Sequence, residues 1–171
     1  MTAEMFQRSA LDGRESDLAR IGAREVPFPA QLSVRTRTSE AFGLPAEPNT
    51  WSSLDEATDA LWLGPDEWLV VSSASRGAVD AAFGDAASLV DVSANRVLID
   101  LRRDDAYDPR DLLEQGCSLD LDPRAWNEGM CAQTLLAHVP VILQERETGT
   151  RMFVRPSFAN WLVDWLLAVS S

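Results

Sequence analysis

Cys117, Cys131 and His138 are the side chains best suited to act as nucleophile, metal ligand or general base, and their spacing limits what they can do. The thiols stand fourteen positions apart, and the only histidine lies seven beyond the second. That set falls short of the four ligands of a structural zinc and of a paired-cysteine redox motif. Neither cysteine has a cation beside it in sequence to lower its pKa, so both are expected to be buried structural thiols of a reducing compartment. No serine sits in a Gly-x-Ser-x-Gly elbow, and a triad would have to recruit His138, which precedes Val139-Pro140 with nothing local to orient it. A structural or surface histidine is expected. Asp104-Asp105 and Asp120 with Asp122 lack the ligand alternation and central glycine of a calcium loop, and are read as solvated loop charges. Arg102-Arg103 beside Asp104-Asp105 reads as a self-neutralised exposed turn. The closest glycines, Gly77 and Gly84, are seven apart, so no phosphate cradle or dinucleotide fingerprint exists. No catalytic, cofactor-binding or metal residue is assigned to this chain.

All fifteen basic residues are arginine, which excludes a phosphate-loop lysine, a Schiff-base lysine and a serine–lysine dyad. Against 27 acidic residues they leave a net charge of −12, which repels phosphate backbones and anionic lipid. Partners are expected to be proteins or small molecules, with no nucleic acid and no membrane. A chain of 171 residues, 46% apolar and 25% charged, can bury a real core as one domain. Its start, Met1-Thr-Ala-Glu-Met-Phe-Gln-Arg8, lacks a basic stretch followed by an apolar run, so a cytoplasmic location is expected.

The elements that must position these residues follow from periodicity and punctuation. Leu11, Leu18 and Ile21 are spaced for one helical face, so 1–24 is expected as an N-terminal arm or helix. The remainder, 25–171, is expected as a single compact region, or as two intertwined α+β halves of about 25–85 and 86–171. Gln31 to Arg37 alternates as a half-buried strand with Leu32, Val34 and Thr36 inward, and Gly43 to Asn49 is a loop. Ala60 to Ser72 is a β-hairpin turning at Gly64-Pro65-Asp66-Glu67. Ser75 is expected to cap a helix ending at Phe83 and Gly84, with strands at Ala87 to Val92 and Asn95 to Leu101. Asp108-Pro109 starts a short helix with Leu112 and Leu113 inward and Gly116 as a left-handed stop. Cys131 to Leu136, Val139 to Glu145 and Thr150 to Arg155 are strands, with a turn at Glu147-Thr-Gly149. Ser157 is expected to cap a last helix carrying Phe158, Trp161, Leu162, Trp165, Leu166 and Val169 on its apolar face. The fold class is therefore α+β, with mostly antiparallel sheets and interspersed helices.

Six tryptophans are many for this length, and four fall in pairs, Trp62 with Trp68 and Trp161 with Trp165. Each is expected in the core, and any excess beyond what the core holds marks a protein–protein interface.

Several ordered stretches resemble one family: Leu61-Trp-Leu-Gly-Pro-Asp-Glu-Trp-Leu-Val70, Val90-Asp-Val-Ser-Ala-Asn-Arg96, Asp111-Leu-Leu-Glu-Gln-Gly-Cys-Ser-Leu-Asp-Leu121, Cys131-Ala-Gln-Thr-Leu-Leu136 and Arg155-Pro-Ser-Phe-Ala-Asn-Trp-Leu162. They are similar to the gamma subunit of heterotetrameric sarcosine oxidase. The resemblance implies a small, non-flavin structural subunit of a complex that oxidatively demethylates sarcosine to glycine, with hydrogen peroxide and formaldehyde or methylenetetrahydrofolate as products. It implies alpha, beta and delta partner subunits that carry FAD, FMN, NAD, zinc and tetrahydrofolate, and no cofactor in this chain. It also implies a fold like the folate-binding domain of the glycine-cleavage aminomethyltransferase. That enzyme's Tyr-Asn and Gly-Gly…Asp folate pattern has no counterpart here, since the only tyrosine, Tyr107, precedes Asp108-Pro109. Leu101 to Tyr107 also departs from the Gly-Pro turn of relatives. A free-standing folate-binding aminomethyltransferase-like protein is the alternative. For a subunit, one or more of Trp51, Trp62, Trp68 and Trp126 is expected to be buried only in the assembly.

Overall fold

The computed structural model describes residues 8–74, 76–84 and 87–170 of the chain. In order they form α1 (Glu15–Arg20), β1 (Ala23–Val26), β2 (Ala30–Arg35), a 3-10 turn (Ser39–Phe42), β3 (Trp51–Asp55), β4 (Thr58–Gly64) and β5 (Glu67–Ser72). There follow α2 (Arg76–Phe83), β6 (Ser88–Asp91), β7 (Val97–Arg102), α3 (Pro109–Leu113), β8 (Cys131–Leu136), β9 (Val139–Arg146), β10 (Gly149–Val154) and α4 (Pro156–Val169). The strands make two antiparallel sheets of five, the first ordered β1-β7-β10-β9-β8 and the second β3-β4-β5-β2-β6. Each sheet takes its odd strand from the other half of the chain: β1 edges the first sheet and β6 edges the second. With helices alongside, this is the expected α+β class.

Side-chain alternation along the strands sorts the core into layers. Ile99, Leu101, Val141, Leu143, Met152 and Val154 on one face of the first sheet pack with Leu11, Leu18, Leu113, Leu162 and Leu166 from the helical side. The other face offers Leu98, Ile142 and Phe153 to Leu61, Leu69 and Val71 of the second sheet. The second sheet's outer face, with Leu32, Val34, Trp68 and Val70, is covered by Val79 and Phe83 of α2. Because the sheets stack, β2 is not half-buried as its alternation suggests: Gln31, on the inter-sheet side, is as buried as Leu32. No helix among the described residues is long and apolar enough to cross a membrane.

Local punctuation differs from expectation at two points. Ser157 does not cap the last helix; Pro156 occupies its first turn behind Arg155, since a ring-fixed φ and a missing N–H suit that position. The cap expected at Ser75 lies outside the described residues. Gly116 does not take a left-handed φ. A Cβ there would lie 2.6 Å from the Trp165 ring, so glycine is required for close approach of the indole and not for chain reversal. Gly116→Ala is expected to displace Trp165 and lower stability by about 1–3 kcal/mol, as overpacking does. A shifted tryptophan emission at a reduced melting temperature is the expected reading, and an unchanged spectrum would show that the ring is not held there.

The last helix is also turned relative to its apolar stripe. Ala159, Leu162, Val163 and Leu166 face the sheet, whereas Phe158 is 39% and Trp161 is 49% exposed. Trp161 is therefore not a core residue. Trp68 and Trp126 are already buried in the isolated chain, which leaves Trp51 and Trp62, both half-buried, as the members of the expected interface set with surface to lose.

Candidate functional site

The chemistry-bearing residues singled out in the sequence form no metal-holding cluster among the described residues, although a bridge between Cys117 and Leu136 brings Cys117 to the turn that carries His138. His138 lies in the two-residue turn between β8 and β9, where it and Ala137 both adopt positive φ (69° and 49°), as a primed hairpin turn demands; its side chain is exposed. Cys131 is buried, and its Sγ donates to the Thr50 carbonyl at 3.1 Å. Burial pushes its thiol up to about 12, so it stays protonated at neutral pH. Cys117 is half-buried beyond α3. Tyr107 donates to the Ile21 carbonyl at 3.2 Å, and its hydroxyl is pushed up to about 12 by burial and the charges of Asp108 and Asp111. Asp122 is an exposed loop carboxylate bonded to Arg124 and its N–H, and Asp120 accepts from the Asp122 N–H at 3.0 Å. Among the described residues, no three His, Cys, Asp or Glu side chains are placed to hold a metal ion.

Arg103 does not neutralise Asp104-Asp105. It turns inward to Glu145 of β9, a nearly fully buried carboxylate that also accepts from Trp126 Nε1 at 3.0 Å and Thr150 Oγ1 at 2.6 Å. Asp108 bonds Arg103 and Arg110 on the same side. Burial raises the Asp108 carboxyl, but hydrogen bonds from the Arg110 side chain and N–H and from Arg103 outweigh it and hold the group at about 2. Its full charge, and the stability it lends, therefore persists above the usual carboxylate range and fades only as pH falls towards that value. A second buried carboxylate, Asp59 of β4, joins the sheets by accepting from Gln144 Nε2 and Arg151 Nη1, each at 3.1 Å, and from Arg146. These networks tie strands together and occupy the carboxylates of Asp59, Asp108 and Glu145.

Arg96 and Arg155 are different. The antiparallel register that pairs Val97 of β7 with Val154 of β10 places Arg96 opposite Arg155 at the next step beyond the strands. Among the described residues no carboxylate is ion-paired to half-buried Arg96 or exposed Arg155, whereas the inward-turned Arg103, Arg110, Arg146 and Arg151 are each bonded to one. Arg96 is partly buried, and its pKa is lowered by loss of water and by the charge of Arg155; Glu67 opposes this but is bonded to Arg35 and Ser33. The Arg96 backbone is fixed through its carbonyl, which accepts from Gln31 Nε2 at 2.9 Å. The two arginines flank a groove of about 370 Å³ with Gln133 and Leu135 of β8, Ile142 of β9 and Phe153 of β10. Arg96 also borders a cleft of about 720 Å³ lined by Glu25, Phe28, Ser93 and Asn95. Opposed cations beside an apolar sheet face can bind an anionic, partly apolar group. Neither arginine was singled out for chemistry in the sequence, where they lie 59 positions apart; only the register brings them together.

The family described as "Sarcosine oxidase, gamma subunit family" matches residues 36–171. Sarcosine oxidase subunit gamma of Corynebacterium sp. (strain P-1) is 34% identical over 165 residues, covering 86% of this chain and 79% of that protein. The Arthrobacter sp. subunit gamma is 31% identical over 167 residues, covering 86% and 81%. A chain of the heterotetrameric sarcosine oxidase from Corynebacterium sp. U-96, solved in complex with pyrrole 2-carboxylate, superposes with a TM-score of 0.81 at 28% identity, covering 96% of this chain and 95% of that one. The glycine cleavage system aminomethyltransferase T of Bartonella henselae superposes with a TM-score of 0.62 at 13% identity, covering 91% of this chain and 48% of that one, a likeness of fold alone.

Proposed function

Because this chain belongs to the sarcosine oxidase gamma subunit family, we propose that it is the small, non-flavin subunit of a heterotetrameric sarcosine oxidase, serving assembly and not the chemical step. The complex would oxidise sarcosine to glycine in the cytoplasm, forming hydrogen peroxide and formaldehyde or methylenetetrahydrofolate. Alpha, beta and delta subunits would carry the FAD, FMN, NAD, zinc and tetrahydrofolate. The residues of this chain do not fit those groups. Its glycines form no phosphate cradle, its described His, Cys, Asp and Glu residues make no metal cluster, and its buried carboxylates are spent on arginines. No catalytic step is therefore routed through it.

The observation that carries this reading is the end-to-end likeness to one chain of a heterotetrameric sarcosine oxidase. Co-expressed with the large flavoprotein subunits, the chain is expected to co-purify in a complex that oxidises sarcosine. His138→Ala should leave turnover within about twofold of the parent, because a residue outside the chemistry contributes little transition-state stabilisation. Absence of any flavoprotein partner, together with tetrahydrofolate-dependent aminomethyl transfer by the isolated chain, would overturn the subunit reading in favour of an aminomethyltransferase-like protein.

A further inference from the structure

We propose that the groove between Arg96 and Arg155, with the open edge of β8 beside it, seats an extended acidic segment of a partner subunit. Carboxylates would meet the two guanidinium groups, and an apolar side chain would lie against Leu135, Ile142 and Phe153. The inference rests on the assembly reading above and specifies the surface through which assembly occurs.

Charge carries the first part of the argument. Like charges directly opposed across a strand pair are destabilising, and a partly desolvated guanidinium without a counter-ion is more so. Among the described residues no carboxylate is ion-paired to Arg96 or Arg155, and Glu67, whose charge reaches Arg96, is engaged by Arg35 and Ser33. A carboxylate from another chain relieves both the repulsion and the lost hydration, and arginine beside apolar surface is what interfaces favour.

Shape and backbone carry the second. Leu135 is 46% exposed on an edge strand, where natural sheets usually place charge or cover. The two-residue turn at Ala137-His138 and the register of β8 with β9 direct the N–H groups of Cys131, Gln133 and Leu135 away from β9. That of Cys131 bonds the Asn49 carbonyl, and the far end of the strand is tied by Ala137 N–H to the Gly116 carbonyl. An isolated bridge pairs Cys117 with Leu136 at that end, and between the ties the N–H groups of Gln133 and Leu135 have no partner among the described residues. A window of free donors beside an apolar floor suits a short extended segment, with main-chain bonds for affinity and side chains for specificity. A small anion would cover neither Leu135 nor the strand edge.

The test uses the complete complex. Arg96→Glu with Arg155→Glu is expected to weaken association about 100-fold, and Arg96→Gln with Arg155→Gln about 10-fold with a reduced salt dependence. Both double variants, assayed as isolated chains, should keep the parent's circular dichroism and melt no lower than the parent, because no intrachain ion pair among the described residues is lost and the repulsion between the two arginines is removed. Hydrogen exchange at the Gln133 and Leu135 amides, fast in the isolated chain, should slow in the complex; this readout needs no variant. Undiminished assembly of the Glu/Glu variant, or unprotected amides in the wild-type complex, would overturn the surface while leaving the subunit reading intact. Failure of the wild-type chain to assemble would remove the reading itself. Saturable inorganic phosphate binding to the isolated chain that the Glu/Glu substitution abolishes, with assembly unaffected, would assign the arginines to a small anion instead.

Discussion

Leu162→Asp is expected to leave most of the chain unfolded at room temperature. Leu162 sits on the sheet-facing side of α4 and is fully buried among residues of the first sheet and of α1 and α3. Deleting a buried leucine side chain costs about 2–5 kcal/mol, and burying an unpaired carboxylate adds several more, against a total stability of about 5–15 kcal/mol for a domain of this size. Trp161→Asp one residue earlier is the control. That side is half exposed, and about 1 kcal/mol or less is expected. Urea titrations followed by circular dichroism should therefore separate the two variants widely. Equal midpoints would mean that α4 does not pack as described.

The same helix shows what periodicity could and could not provide. Steps of three and four from Phe158 to Val169 define a broad apolar arc, and a broad arc has two edges that can meet a sheet. The sheet took the edge bearing Ala159 and Val163, whose small side chains allow close approach, and left Phe158 and Trp161 outside. Signals with a local cause were legible. Asp108 Oδ1 accepts from the Arg110 N–H at 3.0 Å as the Asp-Pro start implied, and β4 and β5 turn at Pro65-Asp66. Strand β3, Trp51–Asp55, was not legible, since Trp-Ser-Ser-Leu-Asp lacks clean alternation and is an edge strand held by β4 across an irregular register.

Electrostatic partners were the least legible feature, because adjacency in sequence is a poor guide to adjacency across a sheet. Arg103 has acidic neighbours at 104 and 105 but bonds Glu145, 42 residues away. Arg96 sits within a stretch that carries the family resemblance, Val90 to Arg96, and Arg155 opens another. Their meeting depends on β7 and β10 being neighbours, which the order of elements does not dictate. The resemblance thus pointed to the family, while the candidate contact surface needed the fold.

Asp59→Ala is expected to destabilise the chain by about 3–5 kcal/mol, the range for breaking one side of a buried ion pair. Its Oδ2 alone receives Gln144, Arg146 and Arg151, so one carboxylate from the second sheet bridges two cations of the first. Without it Arg146 and Arg151 repel each other in a site where Arg151 Nε and Gln144 Oε1 already lack hydrogen-bond partners, and only Asp100, 3.9 Å from Arg151 Nε, remains to offset the charge. Arg146 would keep only its stacking on Trp51, 4.8 Å from the ring centroid, a contact of about 0.5–2 kcal/mol. The loss should come from the stranded cations and not from the missing carboxylate as such. Asp59→Leu combined with Arg146→Met and Arg151→Met is therefore expected to recover most of the stability, since apolar replacement of a whole buried ionic group is often neutral or better. Melting temperatures of the single and triple variants decide the matter. A single variant as stable as the parent would mean that water already reaches the two arginines. A triple variant as unstable as the single would mean that the hydrogen-bond geometry, and not the charge balance, fixes one sheet on the other and with it the side of the groove where Gln133 of β8 donates to the Leu63 carbonyl of β4.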